Sequence, residues 1–247
     1  MHNIKENFPI LNKKIDGKKV IYLDSAASSQ KPYSVINDIK DTYENSYANV
    51  HRGIYKLSQM ATDKYEASRE KVAKFLNVKS SKEIIFTRWA TEGINLIASS
   101  LADGFLNQDD EVIISTLEHH SNIVPWQMCC EYSGAVLKII PLKDNGELDI
   151  SKFESLLSNK TKLVALSHIS NSLGTINPIK EFIEKSHKVG ARVLIDGAQA
   201  ASHVPLNMQE LDVDLYCFSA HKMYGPTGVG VLYGKEDILN EIPPYQG

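Results

Sequence analysis

Apolar and polar positions along this chain switch between two periods, and the switches mark its elements. Short apolar runs rich in Val and Ile at 83–87, 111–115, 136–141, 162–167, 192–196, 215–218 and 228–233 each predict a strand. Helical spacing between them predicts helices over 91–101, 122–132, 148–157 and 179–189. A longer helix is expected over 58–76, with Ala61, Tyr65, Val72, Phe75 and Leu76 on one face and the small Ser68 in the gap. Upstream, 18–24 predicts a short strand and 25–29 a small-residue loop, and Pro32 can open a helix running to about Ala48. Strands that are apolar on both faces and alternate with helices are covered on both sides. The expected fold is therefore α/β: three layers, with a mostly parallel sheet, right-handed crossovers and helices on both faces. Residues 1–32 are expected to form an N-terminal arm and 33–247 one large domain, without internal repeat or low-complexity tract.

Composition narrows the partners. The 247 residues are 43% hydrophobic and 23% charged, with a formal net charge of -3. That balance gives no electrostatic reason to expect nucleic acid or an anionic membrane as partner. No apolar run is long enough to span a bilayer, and the opening residues lack the apolar core of a signal peptide. Cys129, Cys130 and Cys217 are odd in number and lack metal-ligand spacing. A cytoplasmic location follows as the expectation.

Ligands of a mostly parallel sheet sit at the carboxyl ends of its strands, so the polar residues there are the candidates. Thr91 follows the first core strand and opens a helix; it can help seat a phosphate or merely cap the helix. His119 and His120 follow the second strand and can stack on a planar ring, pack, or ligate; adjacent loop side chains seldom share one metal, so no metal site is expected. His168 and Asn171 end a later strand, where the histidine can simply be buried and Asn171 can line a pocket. Asp196 follows Val193, Leu194 and Ile195, which half-buries a carboxylate that needs a partner or caps the next helix. Gly197 and Ala198 leave room beside it, and Gln199 stands within reach. Lys222 follows an apolar run ending in Ser219 and His221. It is either a surface lysine or a desolvated amine able to form a Schiff base. His51 and Arg52 lie in a loop, solvated or reaching a site. An anion seat, a stacker, a carboxylate and an amine are together what pyridoxal 5'-phosphate requires.

These residues carry a family likeness. The stretch 196–200 followed by 218–228 resembles the group II (SufS-type) cysteine desulfurases, also called selenocysteine lyases, of the class V aminotransferases. So do 22–27, 50–53 and 118–126. The likeness runs over essentially the whole chain and implies the large domain of PLP-dependent transferase fold type I. It implies that Lys222 is the Schiff-base lysine and moves the Cα proton, that His119 stacks on the pyridine ring and serves in acid–base steps, and that Asp196 pairs with the ring nitrogen and Gln199 with the ring oxygen. Thr91, Ser219 and His221 would hold the phosphate; Asn171 would lie near the substrate carboxylate or the ring oxygen, and His51 and Arg52 near the entrance on the substrate side. The implied activity converts L-cysteine (or L-selenocysteine) to L-alanine, passing sulfur as a persulfide to an acceptor protein for iron–sulfur cluster assembly, in a homodimer.

The chain departs from that pattern in places. Trp89 and Ala90 stand where relatives have glycine and threonine, and Ala220 replaces a glycine. The sequence given stops in a turn after which relatives carry a small C-terminal domain with the persulfide cysteine and a carboxylate-binding arginine. Cys217 in an apolar strand and Cys129 and Cys130 in a helix are not expected to replace that cysteine. An incomplete form is therefore expected, binding the cofactor weakly or moderately and turning over little. The rivals are another class V aminotransferase or lyase, and an inactive product that only binds the cofactor or a partner.

Overall fold

The computed structural model describes residues 4–246. The arm begins with two 3-10 turns, Ile4–Asn7 and Pro9–Asn12, and a small hairpin of β1 (Lys14–Ile15) and β2 (Lys18–Lys19). Asp16 and Gly17 both have positive φ, 51° and 76°, the conformation that two-residue hairpin turns demand. The strand expected over 18–24 is confined to β2. Beyond it Ile21 and Leu23 are 83% and 92% exposed, and the segment has no neighbouring strand whose ladder could hold it.

Two helices lead into the sheet. α1 (Tyr33–Asn45) starts directly after Pro32, and α2 (Lys56–Leu76) ends on Asn77 in the left-handed region. Of the face expected on α2, Leu76 is fully buried and Val72 packs at the core edge, whereas Phe75 is exposed; Ala73 takes its place inside. The order then follows the alternation read from the sequence: β3 (Ile84–Thr87), α3 (Ala90–Ala102), β4 (Glu111–Ser115), α4 (Val124–Ser133), β5 (Val136–Ile140), α5 (Ile150–Leu156), β6 (Thr161–Ser167), α6 (Ile179–His187), β7 (Arg192–Asp196), α7 (Met208–Leu211), β8 (Leu215–Ser219), β9 (Gly230–Gly234) and α8 (Glu236–Glu241). The short α7 and α8 are additions to the expected elements.

The seven strands β3 to β9 form one sheet in the order β3-β9-β8-β7-β6-β4-β5. It is mostly parallel; β9 alone runs against its neighbours β3 and β8. Period-two alternation divides each central strand between two cores. Ile113, Tyr216 and Phe218 face a cluster with Leu76, Phe153 and Phe182, from α2, α5 and α6. Val112, Ile114, Leu215 and Cys217 face a second with Ile94, Ile97 and Trp126, from α3 and α4. This is the three-layer architecture that strands apolar on both faces predict. Its consequence is positional: β3, β4, β6, β7 and β8 all end at one edge.

An ion network staples the opposite edge. His187 Nε2 lies 2.9 Å from Asp214 Oδ2, and Lys235 Nζ lies 2.8 Å from Asp214 Oδ1. The backbone N–H of Val193 donates to the same carboxylate at 2.7 Å. Burial pushes the Asp214 carboxyl up, but the His187 and Lys235 donors bring it net below its ordinary value. The Asp214 hydrogen bond raises His187 above the usual imidazole range, against burial. A raised imidazole stabilises fully below its unfolded value, about 6.5, and that contribution is lost as pH rises through the folded one. The stability difference between the wild type and His187→Gln is therefore expected to be about 1 kcal/mol below pH ~6 and to shrink as pH rises past neutrality. Thermal unfolding over a pH series measures it; a constant difference would refute the linkage.

Candidate active site

The strand ends enclose a cavity of about 390 Å³. Thr91, His119, Asn171, Asp196, Gln199, Ser219, His221 and Lys222 all line it, together with Ala27, Trp89, Ala90, Ser121, Ser167, Ile169 and Ala198. They come from six separate stretches of sequence, gathered by parallel strands that end level with one another. The register sets Ser167 beside Asp196 and Asp196 beside Cys217.

Asp196 is the last residue of β7 and is buried. Its Oδ1 accepts the Ala198 N–H at 2.9 Å, and among the described residues no cationic side chain forms an ion pair with it. Burial pushes its carboxyl up, opposed by the backbone hydrogen bond and the Lys222 charge. Lys222 stands in a 3-10 turn (Ala220–Lys222) directly after β8. Burial pushes its amine below the ordinary lysine value, and the Asp196 charge partly restores it. A half-buried amine facing a buried carboxylate thus loses its proton more readily than a solvated lysine, the direction that favours nucleophilicity and proton transfer.

His119 precedes the turn His120–Asn122 and caps it. Its Nδ1 accepts the Ser121 N–H at 3.2 Å and lies 2.8 Å from Ser121 Oγ. The accepted N–H places the proton of the neutral ring on Nε2. Burial, then His120 and Lys222, push the imidazole down, so it is neutral at pH 7.

The phosphate-seat candidates meet at the start of α3. The cap position is Trp89, whose side chain makes no capping bond, and the helix starts at Ala90. Thr91 therefore lies in the first turn and is not the cap. Ser219 Oγ accepts the Ala90 N–H at 2.8 Å and keeps its own proton to donate. First-turn N–H groups lack carbonyl partners one turn back, which makes this an anion-seeking corner. Arg88 is held by Glu92, with Nε 2.8 Å from Oε1.

The arm forms one wall. The Gln199 amide donates to the Ala26 carbonyl at 2.7 Å. The His221 carbonyl accepts from the Ser29 N–H, the Ser29 hydroxyl and Lys31 Nζ, each at 2.9 Å. His221 Nδ1 lies 3.2 Å from Ser28 Oγ, and the Tyr224 N–H donates to Ser29 Oγ at 2.7 Å. Residues 26–31 thus clamp the lysine turn. Ser28, Ser29 and Lys31 carried no signal of this in the sequence beyond following a stretch of small residues. Glu118, buried behind His119, is a second group not singled out, although it stands inside a quoted motif.

His51 and Arg52 do not line the cavity. His51 Nε2 lies 2.8 Å from Glu66 and its N–H donates to Thr62 Oγ1, so the loop is fastened to α2; Arg52 is exposed. His168 is a satisfied buried histidine: Nδ1 lies 3.1 Å from the Tyr216 hydroxyl, and burial pushes the ring down to about 4. The three cysteines are buried. Burial pushes Cys129 up to about 12 and Cys130 to about 11, and Cys217 well above its ordinary value, so none is a thiolate at neutral pH. Among the described residues no group of three or more His, Cys, Asp or Glu is placed to hold a metal, and no helix is long and apolar enough to cross a membrane.

With this geometry in view, the sequence profile of the class-V aminotransferases matches residues 21–247. The chain belongs to the class-V aminotransferase family. It is 50% identical over 247 residues to a cysteine desulfurase of Enterobacter sp. (strain 638), covering all of this chain and 61% of that protein. It is 51% identical over 244 residues to a probable cysteine desulfurase of Synechocystis sp., covering 99% of this chain and 58% of that one. Among solved structures, a cysteine desulfurase from Thermococcus onnurineus NA1 superposes with a TM-score of 0.91 at 38% identity, covering 98% of this chain and 58% of that one. The chain thus spans about six-tenths of the length of the curated relatives it matches.

Proposed function

We propose that residues 33–247 are the cofactor-binding large domain of a pyridoxal phosphate-dependent cysteine desulfurase, with 1–32 as the arm that closes its site. One observation carries this: Lys222 and Asp196 face a single cavity from neighbouring strands, with His119 on its wall. The residues present suit the cofactor. A buried carboxylate without a cation asks for one, and a protonated ring nitrogen supplies it. The first turn of α3, Thr91, Ser219 and His221 offer donors for a phosphate.

When bound, pyridoxal phosphate supplies an aldehyde for amines and a ring that draws electrons from the substrate carbon. The chain supplies the rest. Lys222, its amine lowered by burial, would hold the aldehyde and move the proton at the substrate Cα. Asp196 would pair with the ring nitrogen and favour its charged form. His119 would stack on the ring, with Nε2–H available for acid–base steps. Gln199, whose amide donates to the Ala26 carbonyl, would reach the ring oxygen, and Asn171 would lie near the substrate carboxylate or that oxygen. The implied substrate is L-cysteine or L-selenocysteine. Sulfur would leave as a persulfide for an acceptor protein in iron–sulfur cluster assembly, from a cytoplasmic homodimer. The thiol that receives it is one other than Cys129, Cys130 and Cys217, all of them buried and protonated.

Titration of the chain with pyridoxal phosphate, followed by visible absorbance, tests the reading. A long-wavelength band that forms in the wild type and is lost in Lys222→Ala is the expected result. No band, or an equal band in Lys222→Ala, would overturn it.

A further inference from the structure

The turn between β4 and α4 is built around a carboxyl that the chemistry above does not use. Glu118 is 7% exposed, and among the described residues no lysine or arginine pairs with it. Ser115 Oγ donates to its Oε1 at 2.5 Å, and Ser167 Oγ reaches the same oxygen at 3.4 Å. Asn122 Nδ2 donates to Oε2 at 2.7 Å. Asn122 extends the connection, since its Oδ1 accepts the indole N–H of the fully buried Trp126 at 2.8 Å. Two strand ends, the His120–Asn122 turn and α4 are therefore fastened to one side chain. The residue next to it is His119. The Asn122 N–H donates to the His119 carbonyl at 2.7 Å, and the Ser121 N–H donates to Nδ1. What anchors Asn122 thus anchors the turn that orients the ring.

We propose that Glu118 is a positioning residue that holds the His119 imidazole in one orientation and one tautomer on the cavity wall, acting through its hydrogen bonds to Ser115 and Asn122. Its importance for cofactor binding rests on the function proposed above; the orientation of the ring is a property of the chain alone. The charged and titratable groups around the pair are Asp196, facing Glu118 from β7, and His120 and Lys222, facing His119. Burial pushes Glu118 up to about 7, and its hydrogen bonds and the Asp196 charge leave it there. The carboxyl accepts from Ser115 Oγ and Asn122 Nδ2; where a proton or an amide stands on the Ser115 side, the Ser115 hydroxyl, which already takes the Leu117 N–H, can turn to accept with its second lone pair. Glutamine reproduces that pattern and alanine removes it.

Imidazole NMR of the cofactor-free chain is the primary test, with thermal unfolding and pyridoxal phosphate titration beside it. The wild type and E118Q are expected to show His119 neutral with its proton on Nε2 at about pH 7. E118A is expected to show averaged tautomers, with the ring titrating nearer its ordinary value. Cofactor affinity should fall about tenfold in E118A and stay within about twofold in E118Q. Unchanged His119 resonances in E118A would overturn the proposal. So would averaged tautomers in an E118Q chain that melts like the wild type, a comparison that stands even where E118A does not fold. If the wild type takes up no pyridoxal phosphate, the function proposed above fails while the imidazole comparison still decides the role of Glu118.

Discussion

Asp196→Asn is expected to weaken pyridoxal phosphate binding by roughly a hundredfold while making the cofactor-free chain more heat-stable. The two effects share one cause. The carboxyl is buried at the end of β7 with the Ala198 N–H as its hydrogen-bond donor. Burial raises its folded-state value above the unfolded one, near 3.9. For an acid shifted in that direction the folded state binds more protons, so stability falls as pH rises past the unfolded value and levels off above the folded one. At neutral pH the empty chain therefore carries a penalty that asparagine, of the same shape and still accepting from Ala198, removes. A cation above the carboxylate reverses the balance, because a charge-assisted bond contributes about 1.5–3 kcal/mol. Calorimetry of the empty chain and an absorbance titration measure the two halves. Asp196→Asn binding the cofactor as tightly as the wild type would remove the ring-nitrogen assignment. Equal melting temperatures would show that burying the carboxyl costs the cofactor-free chain no stability.

Gly197→Ala, just past the end of β7, is expected to be strongly destabilising. A Cβ built there would lie 2.0 Å from Tyr216 Cε1 and 2.3 Å from its hydroxyl. Neither side can yield cheaply. Tyr216 is fully buried and its hydroxyl is engaged by His168. The Gly197 N–H is itself committed to the Cys217 carbonyl at 2.8 Å. Overpacking of this kind costs about 3 kcal/mol, a melting temperature lower by roughly 10 °C in a chain of this length. Tyr216→Ala in the same chain should recover part of the loss that Gly197→Ala causes, since it clears the space the methyl needs. Gly197→Ala melting with the wild type would mean that the ring does not occupy that space.

Much of this molecule was legible before any coordinates. The strands at 111–115 and 192–196 match their predicted limits, because β-branched apolar runs bounded by charged or turn residues have few other uses. Thr91, His119, Asn171, Asp196, Gln199 and Lys222 could be named as candidates because they stand at strand ends, and a parallel sheet brings its strand ends together; the phosphate roles of Ser219 and His221 came from the family resemblance. The local pattern was silent where the chain has no period. The stretch 18–24 reads as a strand, but among the described residues no strand pairs with it beyond Lys19, and Ser29 a little further on grips the backbone of His221 nearly two hundred positions away. Glu118 was likewise unreadable as a buried acid, since only the convergence of Ser115, Ser167 and Asn122 makes that burial tolerable.

By itself, then, the sequence determined the alternation of strands and helices, the apolar faces of the sheet and the residue types at its carboxyl edge, because each depends on neighbours a few positions apart. Tertiary structure alone decided that β9 runs against the rest, that the arm walls the cavity, that His51 is fastened to α2 and that Arg52 lies outside the cavity lining. Those outcomes depend on hydrogen bonds between segments far apart in the chain, and no local period records which distant partner will satisfy a given N–H or carboxylate.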